Sequence, residues 1–192
     1  MPTIATSVEL IFDRELTDKI QAIWEGFRTE DIRYQHHSEQ ALPHITLAIR
    51  DLSDDATKSL QALAHKLTQF RVSFGSTGMF LKPRGLNYHD DSVVLFLSPK
   101  PTEALLEAHR VATKELRGWN QGRWGHYGSE EWVPHCTLAE HLEKQDLLKA
   151  LQICGDKLDW PITGWIRGIR LVNFGPGELE ELASVPLAHV AA

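Results

Sequence analysis

Cysteine is scarce in this chain. Cys136 and Cys154 are its only two, with neither the paired spacing of a zinc site nor a disulfide framework. An excess of positive charge is missing too. Against 26 acidic residues stand 20 Lys and Arg, for a net charge of −6. That argues against a broad, sequence-blind nucleic-acid surface, which needs many cations to displace counterions, but leaves room for a small pocket that holds one phosphate. Met1 to Leu10 lacks the basic and apolar regions of a secretory signal. No apolar run approaches the length of a membrane span. A reducing cytoplasm is the expected location and a monomer the expected state. The 10 histidines include no His-Glu-x-x-His spacing. Gly75, Gly78, Gly175 and Gly177 read as turn or bulge glycines, not as a dinucleotide fingerprint. Neither a metal nor a cofactor is expected. There is no long Pro/Gly/Ser linker, so residues 1–192 are expected to form one domain.

What the chain does contain is a repeat. Pro43-His44-Ile45-Thr46-Leu47-Ala48 returns, with one change, as Pro134-His135-Cys136-Thr137-Leu138-Ala139. Upstream, Arg33-Tyr34-Gln35-His36-His37 resembles Arg123-Trp124-Gly125-His126-Tyr127, and Ser7-Val8-Glu9-Leu10 resembles Ser92-Val93-Val94-Leu95. The repeat spans about residues 6–83 and 91–175. Helical stripes fall at matching places. Leu16, Ile20, Ile23, Trp24 and Phe27 form one, and Leu105, Ala108, Val111, Ala112 and Leu116 its counterpart. Leu60, Leu63, Ala64 and Leu67 mark a helix after the first motif, and Leu147, Leu148 and Leu151 one after the second. Extended stretches follow at Phe70 to Phe80 and Ile162 to Phe174, with a last strand between Glu180 and Val190. Each half therefore reads strand, helix, loop, motif strand, helix, strand. The fold expected is α+β, with two pseudo-symmetric lobes around a central cleft, each an antiparallel sheet with flanking helices.

Side chains alternate along a strand, so His44, Thr46 and Ala48 are expected on one face, and Ile45, Leu47 and Ile49 on the other. His135, Thr137 and Ala139 follow the same rule, with Cys136 facing the core. Two imidazoles and two hydroxyls facing one another suit a phosphodiester. One histidine takes a proton from the attacking oxygen, and the other gives one to the leaving oxygen. The threonine hydroxyls donate to the non-bridging oxygens. Which histidine plays which part is left open. The aromatic loops before the motifs add Arg33 and Arg123 as candidate phosphate contacts, and Tyr34 and Tyr127 as candidate base-stacking groups. The alternative for the tryptophans Trp124 and Trp132 is that they pack the loop onto its lobe.

His44-Ile45-Thr46-Leu47 and His135-Cys136-Thr137-Leu138 resemble the paired His-x-Thr motifs of the two-histidine (2H) phosphoesterases, the superfamily of the 2′-5′ RNA ligases and RNA 2′,3′-cyclic phosphodiesterases. The resemblance runs from Thr6 to about Phe174. It implies a bilobal fold and an RNA-processing hydrolase that opens 2′,3′-cyclic phosphates without a metal. It also implies 2′-5′ phosphodiester cleavage or ligation with the same site as the nearest alternative. A non-catalytic nucleotide- or RNA-binding module is the competing reading from a different class. The resemblance makes His44 and His135 the catalytic pair and Thr46 and Thr137 the phosphate contacts. The partner implied is a nucleotide or RNA end, with no membrane involved. Between the motifs the chain departs from the better-studied bacterial branch. It has Lys82-Pro83-Arg84 followed by a strand, Ser92 to Leu97, without tryptophan.

Overall fold

The computed structural model describes residues 5–34, 41–51, 56–81, 92–157, 159–174 and 179–189. The expected order of elements is present. The first half gives β1 (Ala5–Phe12), α1 (Arg14–Thr29), β2 (His44–Asp51), α2 (Ala56–Ala64) and β3 (Phe70–Phe80). The second gives β4 (Ser92–Pro99), α3 (Glu103–Glu115), β5 (Cys136–Glu143), α4 (Leu147–Lys157), β6 (Ile162–Phe174) and a closing β7 (Glu180–Pro186). His36, His37, Lys82, Arg84, Gly175 and Gly177 lie outside the described residues.

The helices start where chemistry allows. Asp13 caps α1 by accepting the Leu16 amide at 2.9 Å, and its second oxygen accepts the Trp165 amide of β6. Thr102 caps α3 through the Leu105 amide. The apolar stripes of α1 and α3 are buried, except that Val111 is only partly so. In α4 the expected stripe is displaced. Leu148 is 80% exposed, while Ala150 and Cys154 face the core. The helix packs on α1, where Gly26 receives the Ile153 side chain so closely that a Cβ there would stand 2.6 Å from it.

All the named strand pairs are antiparallel, in the order β2-β1-β6-β3-β4-β5. That order is a mirror: exchanging each strand for its counterpart in the other half reads it backwards. The first five residues of β6 pair with β3, and its later residues pair with β1 and β7. The result is two lobes, β2-β1-β6 with β7 and β3-β4-β5, so the third strand of each half belongs to the lobe built by the other half. One continuous core covers the helix side of both.

Two details of register correct the expectations above. In β2, Ala48 pairs with Val8 but Thr46 with Glu9, so Leu47 is an extra residue, a β-bulge. In β5, Ala139 pairs with Leu95 but Thr137 with Phe96, which makes Leu138 the same bulge. An extra residue reverses the alternation. Ala48 and Ala139 turn into the core, and Ile49 and Glu140 take the places expected for them on the cleft face. The bulges also fix how the first strands correspond. Glu9 and Phe96 both stand opposite the motif threonine, so β4 matches β1 two residues further on than the likeness of Ser7-Val8 to Ser92-Val93 suggests.

Candidate active site

His44, Thr46, His135 and Thr137 line one cavity of about 130 Å³, together with Ser7, Glu9, Ile49, Tyr127, Glu140 and Arg170. The two threonines are equally buried, at 8% exposure each. Both histidines are oriented by the same local contact. Nδ1 of His44 donates to the Leu42 carbonyl at 2.8 Å, and Nδ1 of His135 to the Val133 carbonyl at 2.7 Å. A carbonyl only accepts, so both Nδ1 atoms carry hydrogen and each ring turns its Nε2 to other partners.

Those partners differ. His44 Nε2 lies 3.5 Å from Glu9 Oε1. Glu9 is buried, accepts the Ser7 hydroxyl at 2.6 Å, and pairs with the Arg170 guanidinium at 2.8 Å. Arg170 is fully buried in β6, directly across the ladder from Glu9. His135 instead sits among rings. Phe80 meets it edge-on at 5.1 Å and Phe96 lies at 5.3 Å. Gly78 makes that possible, because any Cβ there would come within 2.5 Å of the Phe96 ring. Burial pushes the His135 imidazole down to about 4; the Val133 hydrogen bond and the Glu140 charge oppose this, and His44 and His126 add to it.

The loop between α3 and β5 is bound to the edge of β2. Asn120 exchanges hydrogen bonds with the backbone of Ile49, and Trp132 donates to the Thr46 carbonyl while stacking flat on His109 at 3.9 Å. Trp124 donates to Asp51 and packs on Phe174. The tryptophans thus take the packing role. Tyr127 reaches the cavity, and burial drives its phenol well above the usual range. Arg123, Arg33 and Tyr34 do not line it. Arg123 is held by Asp51 at 2.8 Å and lies over Trp124, Arg33 is exposed, and Tyr34 packs against the core. Among the described residues, no three His, Cys, Asp or Glu side chains gather as a metal set.

Sequence reasoning missed Glu9 and Arg170. The signal was present: each is a charge set within a short apolar run, Val8-Glu9-Leu10-Ile11 and Ile169-Arg170-Leu171-Val172. Buried charges of that kind need each other.

A bilobal antiparallel fold with a His-x-Thr strand from each lobe at one cleft defines a class of phosphoesterases. The chain belongs to the 2′-5′ RNA ligase (2H phosphoesterase) superfamily, whose profile matches residues 14–177. Membership supports phosphoesterase or RNA-ligase-like enzymatic chemistry in general. Among solved structures the chain is similar to one described only as a phosphoesterase, at 18% identity and TM-score 0.62, covering 98% of this chain and 100% of that one. It is also similar to Escherichia coli LigT, at 17% and 0.59, covering 98% and 99%. A third is a Thermus thermophilus protein, TT0787, at 17% and 0.58, covering 96% and 98%. LigT has been crystallised with 3′-AMP and with phosphate. No curated protein matches the sequence. Among the described residues, no helix is long and apolar enough to cross a membrane.

Proposed function

We propose that the chain opens 2′,3′-cyclic phosphates on nucleotides or RNA ends, with His44 and His135 as the acid/base pair and Thr46 and Thr137 as hydrogen-bond donors to the phosphate. The observation that carries this is the convergence of both His-x-Thr strands on one small cavity, with equal burial of the two threonines. Each imidazole has one nitrogen committed to a carbonyl and the other turned away from it, which is what proton transfer requires. The cavity volume and the acidic net charge favour a single nucleotide end over a long strand. A 3′-AMP ligand in LigT is of that size class. The scheme asks for no metal, since both proton transfers and the charge stabilisation come from side chains.

The superfamily's name favours one second reading: cleavage or ligation of 2′-5′ linkages with the same four residues. Hydrolysis of the four 2′,3′-cyclic mononucleotides in EDTA, beside 2′-5′-linked dinucleotides, separates the two. Turnover of the cyclic nucleotides is expected. Turnover of the dinucleotides alone selects the second reading, and activity that survives both histidine substitutions sinks the pair mechanism.

A further inference from the structure

The two histidines stand at the start of equivalent strands, but their rings meet different surroundings. Resting on the phosphodiester reading above and going one step further, we infer that Glu9, fixed by Arg170, is a positioning residue that keeps His44 in its charged form, making His44 the general acid and leaving His135 as the general base.

Nδ1 of His44 is already a donor to Leu42. A neutral ring would then present a bare Nε2 lone pair to the Glu9 carboxylate at 3.5 Å, which is repulsive. Only with Nε2 protonated does the contact become attractive, and the ring is then an imidazolium. The carboxylate cannot easily turn away. Its other oxygen is held by Arg170, and Ser7 donates to the oxygen that faces His44. The groups around His44 are Glu9 and Ser7 from β1, Arg170 from β6 behind Glu9, and Glu181 from β7 at 3.5 Å from Arg170. Glu140 of β5, Tyr127 and His135 complete the cavity wall. Of these groups, the Glu9 carboxylate is the one in direct contact with Nε2, and that contact favours a cation at His44.

His135 has the same Nδ1 donor bond and no carboxylate in ion-pair contact among the described residues. Rings of Phe80 and Phe96 flank it. A neutral ring suits that setting, and its Nε2 lone pair is then available to accept a proton. The lowered value of about 4 agrees in direction.

The step balances. Water, or an attacking hydroxyl, loses its proton to His135 Nε2 as its oxygen bonds to phosphorus. The bond from phosphorus to the leaving ribose oxygen breaks, and that oxygen takes the proton from His44 Nε2. The pair ends with its charge exchanged, His135 charged and His44 neutral, and proton exchange with bulk water restores it.

The test is a ring-proton NMR titration of the wild type, with each signal assigned by its absence in His44→Gln and His135→Gln, beside pH profiles of kcat/KM for wild type and Glu9→Gln. The expected result is that His44 titrates above His135, and that Glu9→Gln lowers the His44 midpoint. The alkaline limb of the rate profile, which reports the acid, should move down with it. At any pH above that limb, about tenfold in rate is lost for each pH unit it moves. A purely structural role for Glu9 would lower stability without moving that limb. Should Glu9→Gln fail to fold, the order of the two wild-type midpoints still decides. Turnover with His135 titrating above His44, or a His44 midpoint indifferent to a folded Glu9→Gln, overturns the inference. A wild type inert on every phosphodiester, with His44 still titrating higher, overturns the catalytic reading instead.

Discussion

The two lobes share a strand, a bulge and a His-x-Thr step, yet they fill the space beside the motif differently. Where the first lobe has Glu9 across from Thr46 and Arg170 across from Glu9, the second has Phe96 across from Thr137 and Gly78 across from Phe96. One solution is an ion pair; the other is a ring laid over a missing side chain. A symmetric pair of histidines would leave the direction of proton flow to the substrate. Unequal support gives each histidine its own electrostatic setting, as separately tuned acids and bases require. The lesson is that a repeated motif can keep its geometry while the residues around it differ in kind.

Several experiments would break or sharpen this contrast. Replacing either histidine should have the largest effect: His44→Ala and His135→Ala are each expected to lower kcat by about 10²–10⁴-fold on a cyclic nucleotide. Steady-state kinetics of both variants in EDTA would reveal it, and a loss confined to one histidine would leave the pair mechanism without support. Next comes the ion pair. Arg170→Met leaves the Glu9 carboxylate buried without its cation and should cost about 3–5 kcal/mol in urea unfolding. The double variant Glu9→Leu/Arg170→Met makes the first lobe apolar like the second, and should recover most of that loss. If the double is no more stable than the single, the cost lies in packing and not in the stranded charge.

Gly78→Ala probes the second lobe. Its Cβ would meet the Phe96 ring at about 2.5 Å, so about 1–3 kcal/mol should be lost, with a fall in activity as the ring shifts toward His135. Gly75→Ala is the control, with nothing within 4 Å, and should stay within about 0.5 kcal/mol of wild type.

Stability against pH tests the His135 setting directly. Its folded value, about 4, lies below the ordinary 6.5. Between those values the unfolded chain takes up a proton that the folded chain refuses. The contribution of His135 should therefore lower stability as pH drops from about 6.5 to about 4 and add no further slope below. The urea midpoint measured across that range should lose this slope in His135→Gln. Arg123→Ala should also do little. Its partner Asp51 is 60% exposed and neither lines the cavity, so about 0.2–1 kcal/mol of stability and little change in KM are expected.

Element order and the stripes of α1, α2 and α3 were legible because they depend on periodicity within each segment. Leu16, Ile20, Ile23 and Phe27 declare a buried face without reference to anything else. The convergence of the motif strands was legible because the motif recurs. What stayed hidden depends on pairing between segments. The bulges at Leu47 and Leu138 exist only relative to β1 and β4, so alternation placed Ala48 where Ile49 belongs. The same gap placed β4 two residues out of step with β1. Arg123, judged from its position in a loop beside the motif, is instead tied to Asp51 at the far end of β2.

The mirrored strand order bears on ancestry and assembly. Each lobe completes its sheet with a strand drawn from the opposite half of the chain. A polypeptide of half this length could reproduce that order only as a pair, each copy lending its third strand to the other in a domain-swapped dimer. Fusing two such copies makes the exchange intramolecular, with the partner strand always at hand instead of supplied from solution. In one continuous chain the surroundings of the two motifs need not be identical, as two symmetric copies would require, and here they differ: Glu9 and Arg170 stand in one lobe, Phe96 and Gly78 in the other.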